Sequence, residues 1–523
     1  MDFSRSSGVL LHLTSLPNEF GIGDFGTGAY KFVDFLALAG QKYWQILPLG
    51  PTGYGDSPYQ CFSAFAGNMN LISPEFLLED ALLTEEDLLS KPDFPVHCVN
   101  YGTVIEWKKE ILQKAYARFR VSINLNLLAA FESFESEAAH WLEDYSLFIA
   151  IKEAKGNKNW LNWDEPLRMR EPRAIDVMRE ELTERIRAEK FFQFLFFKQW
   201  KRLKNYANGK GIKIIGDIPI FVAADSADVW RNPEFFKLED DLSPTVVSGV
   251  PPDYFSKTGQ LWGNPIYNWN RMQESGFGWW IRRIGFTFAL VDVIRIDHFR
   301  GFLSTWEVPG ADETAENGTW VNVPGYELFA TMQASFGELP IIAEDLGDIT
   351  PEVRALRDYF AFPGMRILQY GFSGDASAGD LPHNYVRNCV AYTGTHDNET
   401  INGWLETKLE EISKAKQFRT TISPDLEDNT EVFAKQVEFC NQYINHQGKD
   451  FNWDMIRAIW SSVASITIAP MQDILGLGNE ARMNTPATTS GNWAWRCSAE
   501  DFSEEIANRL REISKVYGRL NAG

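Results

Sequence analysis

Four short apolar stretches of the chain each end on a carboxylate. They cover residues 213–217, 293–297, 341–344 and 390–397. Buried parallel strands are brief runs rich in isoleucine and valine, bounded by turn residues. In a barrel of parallel strands, the C-terminal ends of all strands open onto the same face. The pattern therefore predicts four carboxylates on one rim of a parallel barrel.

Four further apolar runs, at 8–13, 43–49, 365–370 and 465–469, bring the number of candidate strands to eight. Segments of helical periodicity separate most of them, such as the segment that ends just before Gly40. Strands that alternate with helices favour an α/β fold with a parallel sheet. We therefore predict one (β/α)8 TIM barrel, with residues 1–523 as a single catalytic unit.

Two long stretches interrupt the predicted barrel. Residues 60–185 carry amphipathic spacing and predict a mainly helical insertion on the C-terminal face, after the second strand. Residues 240–275 lack periodicity and contain many glycine and proline breakers, which is typical of an active-site loop. Roughly 50 residues follow the last strand and end in an amphipathic helix at 503–519. They are too few for a C-terminal β-sandwich.

Charge and composition narrow the range of partners. The formal net charge of −21 disfavours nucleic acid and anionic membranes, which bind clustered Lys and Arg, and leaves a neutral ligand as the natural partner. The longest uncharged stretch, 458–472, is too short to span a bilayer. The N-terminus has no apolar signal-peptide segment, so we expect a cytoplasmic protein. The cysteines are odd in number, lack CxxC spacing and indicate free thiols: Cys61, Cys98, Cys389, Cys440 and Cys497.

The residues beside the carboxylates suggest glycosidic-bond chemistry, in which two acids need opposite protonation states. Arg295 and Asp297 are two apart on a predicted strand and face the same way, so the guanidinium would keep Asp297 ionised. Glu344 follows an apolar run, and desolvation there would raise its pKa, as a general acid requires. Each acid taken alone could instead cap the next helix. His298 and His396 each adjoin an acid and could hydrogen-bond sugar hydroxyls.

A glycine-rich motif at 21–26 matches the dinucleotide-binding pattern G-x-G-x-x-G. Residues 14–20 separate it from the preceding strand, whereas the pattern requires an immediate turn, and no acid lies near residue 46 to bind a ribose. Metal-ligand and phosphate-loop motifs are also missing from the sequence. We therefore expect neither a cofactor nor a metal.

A series of motifs runs in order through the chain: SLP (15–17), GIGD (21–24), LPLGPTGYGDSPY (47–59), GDIPIFV (216–222), RIDHFRG (295–301), AEDLG (343–347), THDN (395–398) and MQDILGLG (471–478). The series resembles the amylomaltases, also called disproportionating enzymes. These 4-α-glucanotransferases form glycoside hydrolase family 77 of the α-amylase clan. The resemblance spans residues 8 to about 486.

The resemblance implies a retaining mechanism on α-1,4-glucans such as maltooligosaccharides, amylose, starch or glycogen. Asp297 would be the nucleophile, Glu344 the general acid/base and Asp397 the transition-state stabiliser. The flexible loop at 251–261 would exclude water. The implied substrate-binding residues are Tyr59, Asp217, Gln260, Trp262, Arg295, His298, His396 and Asn484, with Tyr54 and Tyr101 as outer glucan contacts.

The function implied is transfer of maltooligosaccharyl segments between glucans through a covalent glycosyl-enzyme. An α-amylase-type α-1,4-glucan hydrolase would share all three acids, and the ratio of transfer to hydrolysis would distinguish it. A non-catalytic glucan-binding protein would have lost part of the triad, and here all three acids are present. The sequence leaves open the chain-length preference, the yield of cyclic glucans and the oligomeric state.

Overall fold

The computed structural model describes residues 3–121, 124–252, 256–418, 429–488 and 490–520. Eight parallel strands close into a barrel in chain order, and the first strand pairs with the last. The strands are Ser6–Leu10, Tyr43–Gln45, Lys213–Ile218, Val293–Ile296, Ile341–Ala343, Gly364–Ile367, Cys389–Tyr392 and Ile466–Pro470. All eight predicted runs contribute a barrel strand, so the predicted (β/α)8 barrel is confirmed.

Helices connect the barrel strands and surround them. The α-helices are Thr27–Leu38, Pro74–Glu79, Glu85–Leu88, Tyr101–Val121, Leu125–Ala154, Glu165–Arg168, Pro172–Glu181, Thr183–Gly209, Ala227–Arg231, Trp269–Glu274, Gly278–Leu290, Gly325–Phe336, Pro351–Tyr359, Leu368–Gly371, Ile401–Phe418, Asn429–Tyr443, Phe451–Ser461, Met471–Leu475 and Glu504–Val516. The final helix lies where the sequence predicts one. Its N-cap, Ser503, accepts a hydrogen bond from the amide of Ile506.

The connection between the second and third strands is the longest in the barrel. Its helices include Tyr101–Val121 and Leu125–Ala154, and Thr183–Gly209 then returns the chain to the third strand. Lys108 in the first of these forms a fully buried ion pair with Asp24, which ties the helix to the loop after the first strand. The boundaries 60–185 for an insertion remain a prediction.

The region 240–275 contains more regular structure than the sequence predicts. Val246–Val250 and Gln260–Pro265 are antiparallel strands in a second, four-stranded sheet. This sheet is completed by Ser304–Pro309 and Thr319–Asn322, from the connection after the fourth barrel strand. Part of the predicted active-site loop is therefore a β-hairpin, and the role of residues 240–275 as an active-site loop stays a prediction. The other partner of Val246–Val250, the strand Ser304–Pro309, is distant in sequence, and glycine and proline obscure the alternation of polar and apolar positions.

Most of the aromatic side chains belong to the core rather than to an exposed surface. Trp44, Trp200 and Trp280 are among the largest fully buried side chains, and they pack in the same cluster as the strand residues Ile214 and Ile294. No helix in the described ranges is both long and apolar enough to cross a membrane.

Candidate active site

The third, fourth and fifth barrel strands end side by side. Asp217 is paired in register with Arg295, and Ile296 with Ala343. Asp297 and Glu344 are the next residues along their strands, and neighbouring strands lie about 4.8 Å apart. The barrel therefore places these two carboxyl groups next to each other on its C-terminal face.

Arg295 links two of the carboxylates. Its Nη1 donates to Asp217 Oδ2 at 2.6 Å and to Asp297 Oδ1 at 3.1 Å, which confirms the predicted pairing of Arg295 with Asp297. Burial disfavours the charged guanidinium, but Asp217 and Asp297 raise the pKa of Arg295 well above its usual value. Arg295 is therefore a fixed cation behind Asp297, whose side chain is 31% exposed.

Asp217 is the fully enclosed member of this group. Tyr59 Oη donates to its Oδ2 at 2.9 Å, whereas no described residue donates to its Oδ1. Burial raises the pKa of Asp217, and Arg295 partly opposes this effect. The site therefore keeps one carboxyl oxygen available to a donor.

Among the described residues, the donors to Glu344 are backbone amides. The amide of His298 donates to Oε2 at 2.7 Å and the amide of Leu346 donates to Oε1 at 3.0 Å. Burial raises the pKa of Glu344 to about 8, although Arg295 lowers it. Glu344 is thus protonated at neutral pH, as predicted from the apolar run before it.

His298 and Trp262 lie together beside Glu344. His298 adopts a left-handed backbone conformation (φ 52°) in the turn that presents its amide to Glu344. Burial lowers the pKa of its imidazole to about 4, so the ring is neutral at pH 7. The Trp262 ring meets it edge to face at 4.7 Å, and Trp262 Nε1 donates to Gln260 Oε1 at 3.3 Å.

Asp397 lies in the loop after the seventh strand and is held by the segment after the eighth. Asn484 Nδ2 donates to Asp397 Oδ1 at 2.6 Å, and Arg482 Nη2 donates to the Asp397 carbonyl at 2.7 Å. The neighbouring His396 stacks on Tyr59 at 5.2 Å. Tyr59 thereby connects the Asp397 loop to Asp217 on the third strand.

The predicted outer glucan contacts are Tyr101 and Tyr54. Tyr101 Oη donates to the carbonyl of Trp493 at 2.9 Å, and the Trp493 ring lies 5.9 Å from those of Tyr59 and His396. Tyr101 therefore supports a residue beside the site. The side chain of Tyr54 lies outside the described part of the chain.

Several residues at the site are not predicted from the sequence. His12 is buried, accepts from the Leu47 amide, and has its pKa lowered by burial to about 3. It follows the first strand, a position that could have marked it. Arg482 and Trp493 lie in irregular segments after the last strand, where no periodicity singles them out. Within the described ranges, no three His, Cys, Asp or Glu side chains are grouped to hold a metal.

Comparisons with known proteins agree with this geometry. The model of glycoside hydrolase family 77, described as 4-alpha-glucanotransferase, matches residues 11–501. The 4-alpha-glucanotransferase of Clostridium butyricum is 46% identical over 512 residues, which cover 97% of this chain and 100% of that protein. The enzyme of the same name from Thermus thermophilus is 47% identical over 528 residues, covering 99% of this chain and 100% of that protein.

Solved structures of amylomaltases are also similar to this chain. An amylomaltase from Streptococcus agalactiae, in complex with acarbose, superposes with a TM-score of 0.91 at 42% identity, covering 99% of this chain and 100% of that one. An amylomaltase from Corynebacterium glutamicum, at 19% identity, has a TM-score of 0.79 over 98% of this chain and 75% of that one, and shows the shared fold alone. The chain belongs to the 4-alpha-glucanotransferases of glycoside hydrolase family 77.

Proposed function

We propose that this protein is a retaining 4-α-glucanotransferase that transfers maltooligosaccharyl segments between α-1,4-glucans. The observation that carries the proposal is the adjacent pair Asp297 and Glu344, one held by a cation and the other buried and protonated. A retaining glycosidase mechanism needs a nucleophilic carboxylate and a carboxylic acid about 5 Å apart.

In the first step, a carboxylate oxygen of Asp297 attacks the anomeric carbon of the donor sugar. The bond from that carbon to the glycosidic oxygen breaks, and Glu344 delivers its proton to the departing oxygen. The products are a glycosyl ester on Asp297, a shortened glucan with a free 4-hydroxyl, and ionised Glu344. Arg295 Nη1 donates a hydrogen bond to Asp297 Oδ1 before the attack.

In the second step, the 4-hydroxyl of another glucan attacks the same carbon. Glu344 accepts the hydroxyl proton, the ester bond to Asp297 breaks, and an α-1,4 bond forms with net retention. The neutral imidazole of His298 beside Glu344 can bind a sugar hydroxyl without altering the protonation of the acid.

Asp397 is assigned the role of binding sugar hydroxyls most tightly in the transition state. Asn484 and Arg482 fix its position, while 44% of its side chain is exposed toward the cleft. The residues proposed to line the substrate subsites are Tyr59, Asp217, Gln260, Trp262, Arg295, His298, His396 and Asn484, with Tyr54 and Tyr101 further out.

Water competes with the acceptor hydroxyl for the glycosyl ester. The strand Gln260–Pro265 carries Trp262 to the side of His298, which supports a role for this hairpin in excluding water. An α-amylase-type hydrolase remains the alternative function, because it would use the same acids. The predicted loop at 251–261 lies partly outside the described residues.

The proposed partners are α-1,4-glucans, and the Streptococcus agalactiae relative in complex with acarbose supports a glucan-like ligand. We propose no nucleic-acid or membrane partner, given the net charge of −21. A cytoplasmic location is proposed because all five cysteines are unpaired, as reducing compartments favour.

Incubation with maltotriose alone tests the proposal. The expected products are glucose and a ladder of longer maltooligosaccharides, formed without added metal or nucleotide and with no rise in total reducing ends. Chromatography and a reducing-end assay on the same samples measure both quantities. Only shorter sugars, with reducing ends rising in step, would identify a hydrolase, and loss of activity in EDTA would contradict the absence of a metal.

A further inference from the structure

The loop that carries His396 and Asp397 is bound at both ends by one carboxylate outside the predicted site. Asp473 Oδ2 accepts from Thr393 Oγ1 at 2.6 Å, directly after the seventh barrel strand. Its Oδ1 accepts from the amide of Ile401 at 2.8 Å, where the helix Ile401–Phe418 begins. The two bonds fix the distance between the ends of the loop.

Asp473 is buried in surroundings that disfavour an ionised carboxylate. It is 1% exposed, and no Lys or Arg is paired with it in the described part of the chain. A buried carboxylate without a cation costs several kcal/mol unless hydrogen bonds compensate for lost hydration. Burial raises the pKa of Asp473 to about 7, and the hydrogen bonds from the Thr393 hydroxyl and the Ile401 amide offset part of that effect.

The segment that contains Asp473 also reaches Asp397 directly. Asp473 lies in the short helix Met471–Leu475, which begins as the eighth strand ends. Further along the same segment, Arg482 and Asn484 bind the backbone and the carboxylate of Asp397. The segment after the eighth strand thus holds the loop at its two ends through Asp473 and at Asp397 through Arg482 and Asn484.

We propose that Asp473 is a positioning residue for Asp397, which holds the loop 393–401 so that the Asp397 carboxylate meets the sugar hydroxyls in the transition state. The proposal rests on the role proposed above for Asp397. Displacement of a reacting group by about 1 Å costs up to about 100-fold in rate. Loosening either end of the loop should therefore lower kcat more than it changes KM.

Asp473→Asn retains the size of the side chain but replaces one acceptor oxygen by an NH2 group, so the Thr393 hydroxyl can no longer donate there and must turn to accept. We expect kcat for transfer between maltooligosaccharides to fall about 10- to 100-fold, with KM changed by less than about 3-fold. Thr393→Val breaks one of the same bonds from the other side and should lower kcat about 10-fold. Thr393→Ser keeps the hydroxyl and should recover most of that loss.

A double-mutant cycle with Asp397→Asn separates positioning from general structural damage. The assay uses α-maltotriosyl fluoride as donor, so that slow variants stay measurable, at a temperature below all melting transitions. If Asp473 acts through Asp397, adding Asp473→Asn to Asp397→Asn should cost less than about 3-fold. If Asp473→Asn does not fold, the same cycle is measured with Thr393→Val in its place.

Asp228→Asn is the matched control. Asp228 is also buried, accepts a backbone amide, that of Ala64 at 2.7 Å, and has no cation in an ion pair within the described ranges. The fold loss in rate caused by Asp228→Asn should be the same with or without Asp397→Asn. Equal fold losses for Asp473→Asn with and without Asp397→Asn would overturn the positioning role of Asp473, but not the role proposed for Asp397. Near wild-type activity of Asp397→Asn would instead overturn the role proposed for Asp397.

Discussion

Asp297 and Glu344 are on neighbouring strands, yet their surroundings differ in kind. Asp297 is bonded to a guanidinium, whereas the donors to Glu344 among the described residues are two backbone amides. The guanidinium of Arg295 also lowers the pKa of Glu344 from further away, but burial outweighs it. Burial therefore keeps Glu344 protonated at neutral pH, whereas Asp297 has the guanidinium as a direct hydrogen-bond partner.

The difference originates two residues earlier on each strand. Side chains two apart on a strand point to the same side. Arg295 precedes Asp297 by two positions, while Ile342, which is fully buried, precedes Glu344 by two. One strand therefore supplies a cation and the next an apolar surface. The comparison predicts that the variants below fail in different ways.

Asp297→Asn should cause the largest loss. The amide keeps the shape of the side chain but cannot act as the nucleophile, so about four orders of magnitude or more in kcat should be lost, roughly 6 kcal/mol of barrier. Initial rates of glucose release from maltotriose measure the effect. More than a tenth of the wild-type rate would show that another residue is the nucleophile.

Glu344→Gln should abolish turnover of ordinary glucans but allow the first step with a donor that needs no proton. An α-maltotriosyl fluoride should glycosylate Asp297, and the ester should persist because no base activates the acceptor. Intact-protein mass spectrometry should detect the adduct on Glu344→Gln. The Asp297→Asn/Glu344→Gln double variant is the control, and an adduct on it would refute both assignments.

Arg295→Lys keeps a positive charge but removes the rigid planar guanidinium whose Nη1 donates to both Asp217 and Asp297. We expect kcat/KM to fall about 10- to 100-fold, with the rate of glycosyl-ester formation reduced more than its breakdown. Single-turnover measurements with the fluoride donor distinguish the two steps. An unchanged rate of ester formation would mean that Arg295 serves only to pack the barrel.

The strands were predictable because their signal is local, whereas contacts that depend on distant partners were not. A run such as 341–344 shows both its strand and its terminal acid in four residues. The pairing of Val247 with Val308 joins residues about 60 apart. Asp473 likewise binds residues 80 and 72 positions away, and nothing beside it in the sequence predicts those partners.

The pH profile tests the protonated state of Glu344. Its pKa in the free enzyme is about 8, and the general acid must be protonated, so kcat/KM for maltotriose should fall tenfold per pH unit above about pH 8. The loss appears as pH rises because the acid loses the proton that it must donate, and burial places this loss near pH 8. Glycosylation of Glu344→Gln by the fluoride donor should lack this alkaline limb. A limb that persists there would belong to a different group.

Trp262→Ala should have the smallest effect on rate and the clearest effect on the ratio of transfer to hydrolysis. The indole lies edge to face against His298 beside Glu344, on the strand Gln260–Pro265. Removing it opens the acid side of the cleft to water, while the contacts around Asp297 stay intact. We expect the share of hydrolysis to rise about 2- to 10-fold and binding to weaken by about 1 to 3 kcal/mol if a sugar ring stacks on the indole. Reducing-end assays, product chromatography and the melting temperature should be measured on one preparation. A lower melting temperature with an unchanged ratio of transfer to hydrolysis would show that Trp262 only packs the hairpin against the barrel.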